Sequence, residues 1–185
     1  MGIDKASLKI GGITLLERTI SVVKPLVNQT IVMLADKQDI SYLSDKIQCD
    51  VTFGRDRIEA KGPLRGICDG VKLLDDSITE IFVLSCDLPY LSSDWLKRMQ
   101  NNMTDCLDVI YAVNGKIINP LIAYYRREVL DRAAFLIRQG RRRPLDLWEG
   151  FRVKELSSDL EEDYTISDVN TPEEYQKAVR FYNDK

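Results

Sequence analysis

The run Ile81-Phe82-Val83-Leu84-Ser85-Cys86-Asp87-Leu88-Pro89 decides the fold class. Its first four residues are apolar on both faces, the pattern of a central parallel strand covered by helices on each side. In open α/β sheets, ligands bind beyond the carboxyl ends of the strands. Asp87 is therefore expected to project into such a crevice, and Pro89 restricts the backbone just after it. On spacing alone Asp87 has two readings. It holds a hard cation that bridges phosphate oxygens, since magnesium takes few protein ligands, or it caps the following turn.

Working outward, further apolar, β-branched runs predict strands over 30–34, 50–53, 80–86, 109–113 and 117–125. Amphipathic periodicity predicts helices over 15–27, 63–74, 93–99, 129–137 and 172–181. This alternation implies β-α-β units and a mostly parallel sheet flanked by helices. Asn114-Gly115 lies between two strand runs and signals a tight hairpin, hence one short antiparallel excursion. Asn119-Pro120 interrupts the last run and predicts a bulge or an edge.

Composition narrows the chemistry. The 185 residues suit one domain, taken as 1–185, and 44% hydrophobic content can fill a core. A net charge of −3 leaves no electrostatic footprint for nucleic acid. The basic run Arg141-Arg142-Arg143 reads as a solvated helix end. No apolar run approaches the roughly 20 residues that span a bilayer, so no membrane association is expected. Asp4 stands where a signal peptide needs an apolar region, and a cytoplasmic location is expected. Cys49, Cys68, Cys86 and Cys106 form no C-x-x-C motif and read as reduced thiols, mostly buried. The chain has no histidine, which removes histidine bases, Ser-His-Asp triads and histidine-ligated zinc. A metal here would be held mostly by oxygen, favouring magnesium or manganese.

Three further segments are candidate site elements. Gly62-Pro63-Leu64-Arg65-Gly66 places proline in the first turn of a helix whose N-terminus offers free N–H groups to an anion. Lys5, in Asp4-Lys5-Ala6, can neutralise a polyphosphate as a point charge. Thr171-Pro172-Glu173-Glu174 reads as a capped helix start, and Asp168 and Asn170 just upstream could close a metal or substrate site with Asp87. Trp95, Trp148, Tyr124 and Tyr125 read as core.

In order along the chain, Gly2-Ile3-Asp4-Lys5-Ala6, Leu15-Leu16-Glu17-Arg18, Gly62-Pro63-Leu64-Arg65-Gly66, Cys86-Asp87-Leu88-Pro89 and Val169-Asn170-Thr171-Pro172 resemble the molybdenum cofactor guanylyltransferase family. Asn119-Pro120-Leu121 and Gly140-Arg141-Arg142 are similar to that family's late segments. The resemblance covers nearly the whole chain and implies a Rossmann-like nucleotidyltransferase fold. It further implies a Mg2+-dependent transfer of GMP from GTP to the terminal phosphate of the molybdopterin-bound cofactor, releasing pyrophosphate. Carried over by motif, Lys5 and Asp87 are the catalytic pair. Lys5, Asp56, Asp87 and Gly62 would bind nucleotide, with Arg55 as the alternative to Asp56 in a shifted alignment. Asp87 and Asp168 would hold the metal, and Asn119, Pro120 and Asn170 would face the pterin. A molybdoenzyme or its chaperone would be the protein partner.

The sequence departs from the family in two places. The family opens with a strand and a loop of the form L-A-G-G-x-S-x-R, before the motif that begins here at Met1. About 10 to 20 residues are expected upstream, judged from a mean strand plus its loop, and without them neighbouring strands would expose unpaired edges. A misplaced start explains this better than a degenerate, inactive relative, because the other motifs are intact. Leu34 stands where the family often has a nucleotide-contacting Asn, which leaves the base open. The alternatives are a CTP- or sugar-phosphate-using transferase of the same fold, or a non-catalytic protein that binds the cofactor.

Overall fold

Each of the five apolar runs forms a strand. A computed structural model describes residues 4–36, 38–43, 45–56, 62–115, 117–157 and 164–184. Strands are β1 (Lys9–Ile10), β2 (Ile13–Thr14), β3 (Ile31–Ala35), β4 (Thr52–Asp56), β5 (Glu80–Leu84), β6 (Val109–Asn114), β7 (Ile117–Arg126) and β8 (Val153–Ser157). Helices are α1 (Leu15–Val23), α2 (Asp45–Asp50), α3 (Pro63–Val71), α4 (Ser93–Asn102), α5 (Arg127–Asp131), α6 (Ala133–Arg138) and α7 (Pro172–Asn183). Short 3-10 turns lie at Lys5–Ser7, Lys24–Leu26 and Pro144–Trp148.

Local chemistry sets the element ends. Thr14 and Glu17 form a reciprocal capping box that starts α1. The helix closes as a 3-10 turn at Lys24–Leu26 because Pro25 has no N–H to donate. Gly62, at φ +77°, leads into α3 with Pro63 at its first turn. The expected hairpin is present: Asn114 pairs with Ile117 across Gly115, which takes φ +60°.

The larger sheet has the order β5-β7-β6-β8. β7 runs antiparallel to both β5 and β6, while β6 and β8 are parallel. The antiparallel excursion is thus the ten-residue β7, the longest strand described, lying inside the sheet. The pairing of β6 with β7 jumps from Tyr111↔Ala123 to Ala112↔Asn119. This is the bulge expected at Asn119-Pro120. Alternate side chains of this sheet enter different cores. Ile110, Ala112, Ile122 and Tyr124 pack with Trp95, Leu96 and Met99 of α4. Val109, Ala123 and Tyr125 pack with α3, α5 and α6 on the opposite face.

β3 and β4 form a separate parallel pair over a third core of Leu16, Ile20, Val32 and Leu34. Gly54 and Gly70 let β4 and α3 close on Met33, since a Cβ at either position would come within 2.4 and 3.1 Å of that side chain. The sheet is therefore split between β3 and β5. This corrects the expectation for Ile81-Phe82-Val83-Leu84: among the described residues β5 is an edge strand, paired antiparallel with β7, and none of the four is fully buried. Among the described residues β5 pairs only with β7, and its other edge lines a cavity.

The run Arg141-Arg142-Arg143 is exposed after the end of α6, as a solvated helix end should be, and it also makes specific contacts. Arg141 and Arg143 bind the buried Asp146 at 2.9 and 3.1 Å, so two of the three guanidinium groups hold the turn after α6. Cys68 is buried and Cys86 half-buried, but Cys106 is exposed; all three are free thiols. No helix among the described residues is long and apolar enough to cross a membrane.

Candidate functional site

The site is built where β5 stops. Ser85 N–H still donates to Leu121 O of β7 at 2.8 Å, and Cys86 packs beside Leu34 and Ala6 in the third core. Asp87 then turns out at the carboxyl end of the strand. Its own carbonyl accepts from Val169 N–H at 3.0 Å, which ties it to the segment preceding α7. Leu88 and Leu91, both buried, anchor the turn that follows.

Lys5 arrives from the opposite end of the sequence. Asp4 caps the 3-10 turn by accepting from Ala6 N–H at 3.1 Å. Gln38 Nε2 donates to both oxygens of Asp4 at 2.9 Å, and Gln38 Oε1 accepts from Ala35 N–H at 3.2 Å. The turn that carries Lys5 is thus fastened to the end of β3. The ammonium reaches Asp87 Oδ2 at 2.9 Å and Asn170 Oδ1 at 2.5 Å. The Lys5 and Asp87 side chains are 30% and 15% exposed, so the pair faces the crevice and not the interior.

Asn170 is positioned by the start of α7. Its N–H and that of Thr171 donate to Glu174 Oε2 at 2.7 and 2.8 Å, while Thr171 caps the helix by accepting from Glu174 N–H. These backbone donors hold the Glu174 carboxyl below its ordinary value. Tyr182 O–H donates to Pro89 O at 2.8 Å, so α7 also grips the turn after Asp87. Burial, followed by the nearby Asp87 charge, pushes the Cys86 thiol up to about 11.

Of the residues singled out by sequence, Lys5, Asp87 and Asn170 meet in one constellation. Asp168 lies two residues before Asn170 and is half-buried. Asn119 and Pro120 sit in the β7 bulge, just before Leu121, which receives the last β5 bond. Asn119 Oδ1 accepts from Leu121 N–H at 3.0 Å and shapes that bulge. Gly62 stands at the α3 N-terminus, where a Cβ would lie 3.2 Å from Arg142 O. Asp56 ends β4 opposite Ala35, and its side chain lies outside the described residues. Arg55 donates to Asp36 O and Gln38 O at 2.8 and 3.0 Å, fastening the loop after β3. Leu34 is 2% exposed and belongs to the core. Gln38 was not foreseen; a lone polar residue after a strand carries no sequence signal of its contact with Asp4.

The donor set around Lys5 Nζ is two oxygens from distant residues converging on one cationic nitrogen. Such a pocket of oxygen acceptors suits a hard cation or an ammonium group. Among the described residues no group of three or more His, Cys, Asp or Glu gathers.

Comparison with known proteins agrees with this architecture. A protein of Carboxydothermus hydrogenoformans, named a probable molybdenum cofactor guanylyltransferase, is 24% identical over 190 residues, spanning 100% of this chain and 91% of its own length. The molybdenum cofactor guanylyltransferase of Photobacterium profundum is 27% identical over 95% of this chain and 87% of its own. Among solved structures, molybdopterin-guanine dinucleotide biosynthesis protein A of Archaeoglobus fulgidus superposes with a TM-score of 0.77 at 20% identity, covering 100% of this chain and 93% of that one. The 4-diphosphocytidyl-2C-methyl-D-erythritol synthase of Anaerococcus prevotii also gives 0.77, at 13% identity, with 98% and 91% covered. Those two names carry different bases, so the shared backbone establishes the nucleotidyltransferase fold and leaves base choice to side chains. The MobA-like NTP transferase domain matches residues 1–153, most of the sequence and all of its Lys5-to-Asp87 half, and the chain accordingly belongs to that family of nucleotidyltransferases.

Proposed function

We propose that this chain transfers the guanylyl group of GTP to the terminal phosphate of the molybdopterin-bound molybdenum cofactor and releases pyrophosphate. The observation that carries the reading is the Lys5 ammonium seated between the Asp87 carboxylate and the Asn170 amide oxygen. It is supported by the guanylyltransferase names of relatives that align over nearly the whole chain.

The chemistry needs little proton traffic. The attacking phosphate oxygen is already ionised and requires no general base, which a chain without histidine can tolerate. As its oxygen bonds to the α-phosphorus of GTP, the bond from that phosphorus to the β-bridging oxygen breaks. The electron pair leaves with pyrophosphate. The main obstacle is repulsion between two polyanions, so catalysis is positioning and electrostatic stabilisation. Lys5 supplies a positive point charge at the triphosphate, and Asp87 and Asn170 hold its ammonium in place beforehand. Gly62 at the α3 N-terminus presents N–H groups to the nucleotide, with Asp56 at the end of the neighbouring strand. Asn119 and Pro120, with Asn170, face the pterin. Asp87 and Asp168 would hold magnesium, which would supply positive charge against the phosphate repulsion. The free thiols suit the reducing cytoplasm, where a molybdoenzyme or its chaperone would receive the product.

The test is pyrophosphate release from the chain with molybdenum cofactor, magnesium and either GTP or CTP. Release with GTP well above that with CTP is expected. A preference for CTP overturns the guanylyl assignment, and cofactor binding with no release from either nucleotide overturns the catalytic one.

A further inference from the structure

A lysine side chain is a point charge on a flexible four-carbon stem. Its charge is well placed against a phosphate only when both ends of that stem are placed. The head of Lys5 is fixed by Asp87 Oδ2 at 2.9 Å and Asn170 Oδ1 at 2.5 Å. The backbone end is fixed by the turn Lys5–Ser7, which has two attachments. Ala6, 3% exposed, sits in the third core with Leu34 and Leu43. Asp4, on the other side of Lys5, is exposed, and Gln38 fixes its side chain.

The chemistry of an amide suits Gln38 to this task. It carries a donor and an acceptor in one rigid plane. The Asp4 carboxylate can only accept, and the Ala35 N–H can only donate. Nε2 donates to both Asp4 oxygens at 2.9 Å, and Oε1 accepts from Ala35 N–H at 3.2 Å. Only one orientation of the amide satisfies both partners. The same Asp4 carboxylate accepts from Ala6 N–H at 3.1 Å. The main chain of Gln38 is held as well. Its N–H donates to Ala35 O at 3.0 Å, and its carbonyl accepts from Arg55 Nη1 at 3.0 Å. A path of hydrogen bonds thus runs from β4 through Arg55, Gln38 and Asp4 to the residue beside Lys5. A brace for the loop after β3 needs only the bonds to Ala35 and Arg55. The bond to Asp4, 34 positions away, adds nothing to that loop; it constrains the turn that carries Lys5.

We propose that Gln38 is a positioning residue for Lys5. Its amide orients the Asp4 carboxylate, the carboxylate orients the turn, and the turn sets where the ammonium meets the triphosphate. The inference rests on the phosphate role given to Lys5 under the proposed reaction.

The test exchanges donor and acceptor. Gln38→Glu keeps an acceptor for Ala35 N–H but sets an anion against Asp4. Adding Asp4→Asn restores the pair with its direction reversed. The new amide nitrogen can donate to the introduced carboxylate while its oxygen still accepts from Ala6 N–H, and asparagine caps as well as aspartate. The first readout is acetylation by acetic anhydride, mapped by mass spectrometry against the exposed Lys72 and Lys97. Relative to these, Lys5 should label about threefold faster or more in Gln38→Glu, as its turn opens locally. The double variant should return to the parent rate. The second readout is pyrophosphate release. In Gln38→Glu, kcat/KM for the nucleotide should fall about tenfold or more, since a displacement of about 1 Å can cost about 100-fold. The double variant should recover it. In a Lys5→Ala chain, nucleotide affinity should not respond to Gln38→Glu, because residues that act through one another are not additive.

Unchanged Lys5 labelling in Gln38→Glu overturns the proposal. So does a rise shared equally by Lys72 and Lys97, which marks general loosening, or a double variant that stays impaired. Equal weakening of nucleotide binding with and without Lys5 also overturns it. If the unaltered chain releases no pyrophosphate from either nucleotide, the assigned reaction falls, and the labelling pattern decides the role of Gln38.

Discussion

β6 and β5 are both short apolar strands, and the structure treats them differently. In β6, Val109, Ile110 and Ala112 are 0% exposed, because β7 and β8 pair with its two edges and helices cover both faces. In β5, every residue is half-buried, because among the described residues a strand pairs with one edge alone. Their charged ends differ in the same sense. Asp108, just before β6, accepts from the Arg152 backbone N–H, Nε and Nη2 at 2.8, 2.9 and 2.6 Å. Asp87, just after β5, meets Lys5 in an open crevice. A buried carboxylate whose two oxygens are both bound by one arginine holds structure. One at the open end of a strand, bound by a single flexible cation, retains capacity for a ligand. The side-chain types are alike; the neighbours assign the role.

The largest expected effect is on turnover. Asp87→Asn should lower pyrophosphate release by about 100- to 1,000-fold, the usual loss when one preorganised electrostatic group is removed, with little change in thermal midpoint. Asp108→Asn should do the reverse, lowering the midpoint and sparing turnover. If both variants lost turnover alike, the contrast between the two carboxylates would collapse.

Stability tests the strands themselves. Ile110→Ala should cost about 2–5 kcal/mol in urea unfolding, as for other fully buried aliphatic truncations. Ile81→Ala, at a half-covered position, should cost about half as much. Equal losses would show that β5 is as enclosed as β6.

Acid should weaken the closed half. Hydrogen bonding from Arg152 lowers Asp108 to about 2, and hydrogen bonding from Arg141 does the same for Asp146. An unfolded aspartate titrates near about 3.9. Depressed folded values mean that the stabilisation is present above about pH 4 and is lost as pH falls toward about 2. The urea midpoint should drop over that window, less steeply in Asp108→Asn. An unchanged slope in the variant would remove Asp108 from the account.

The smallest effect concerns thiols. Cys86, with its thiol raised to about 11, should react slowly with iodoacetamide at pH 8, while the exposed Cys106 is modified first. Mass mapping of the alkylated chain checks the order.

The legible parts of the sequence were those governed by near neighbours. The run over 109–113 emerged as a strand one residue longer, and Thr171-Pro172 capped a helix as its residue types require. β8 was missed because Val153, Lys154 and Glu155 are exposed and only Leu156 reaches the core, which erases any alternating pattern. α2 is a single short polar turn with no usable periodicity. The ion pairs of the arginine run left no sequence signal because their partner, Asp146, comes into reach only through the 3-10 turn at Pro144–Trp148. The motifs containing Lys5, Asp87 and Asn170 were visible, but not their contacts: Lys5 and Asn170 are 165 positions apart.

By itself the sequence determined which segments extend and which coil, since apolar period, caps and prolines act within a few residues. It also determined that the chemistry must proceed without imidazole and that its site motifs are those of nucleotidyltransferases. Only the tertiary structure decided that β5 has one open edge, that Arg55 and two arginines of the basic run hold loops, and that Lys5 is gripped by Asp87 and Asn170. Those outcomes depend on which surfaces meet across the fold, and pairing between distant segments leaves no local trace in either one.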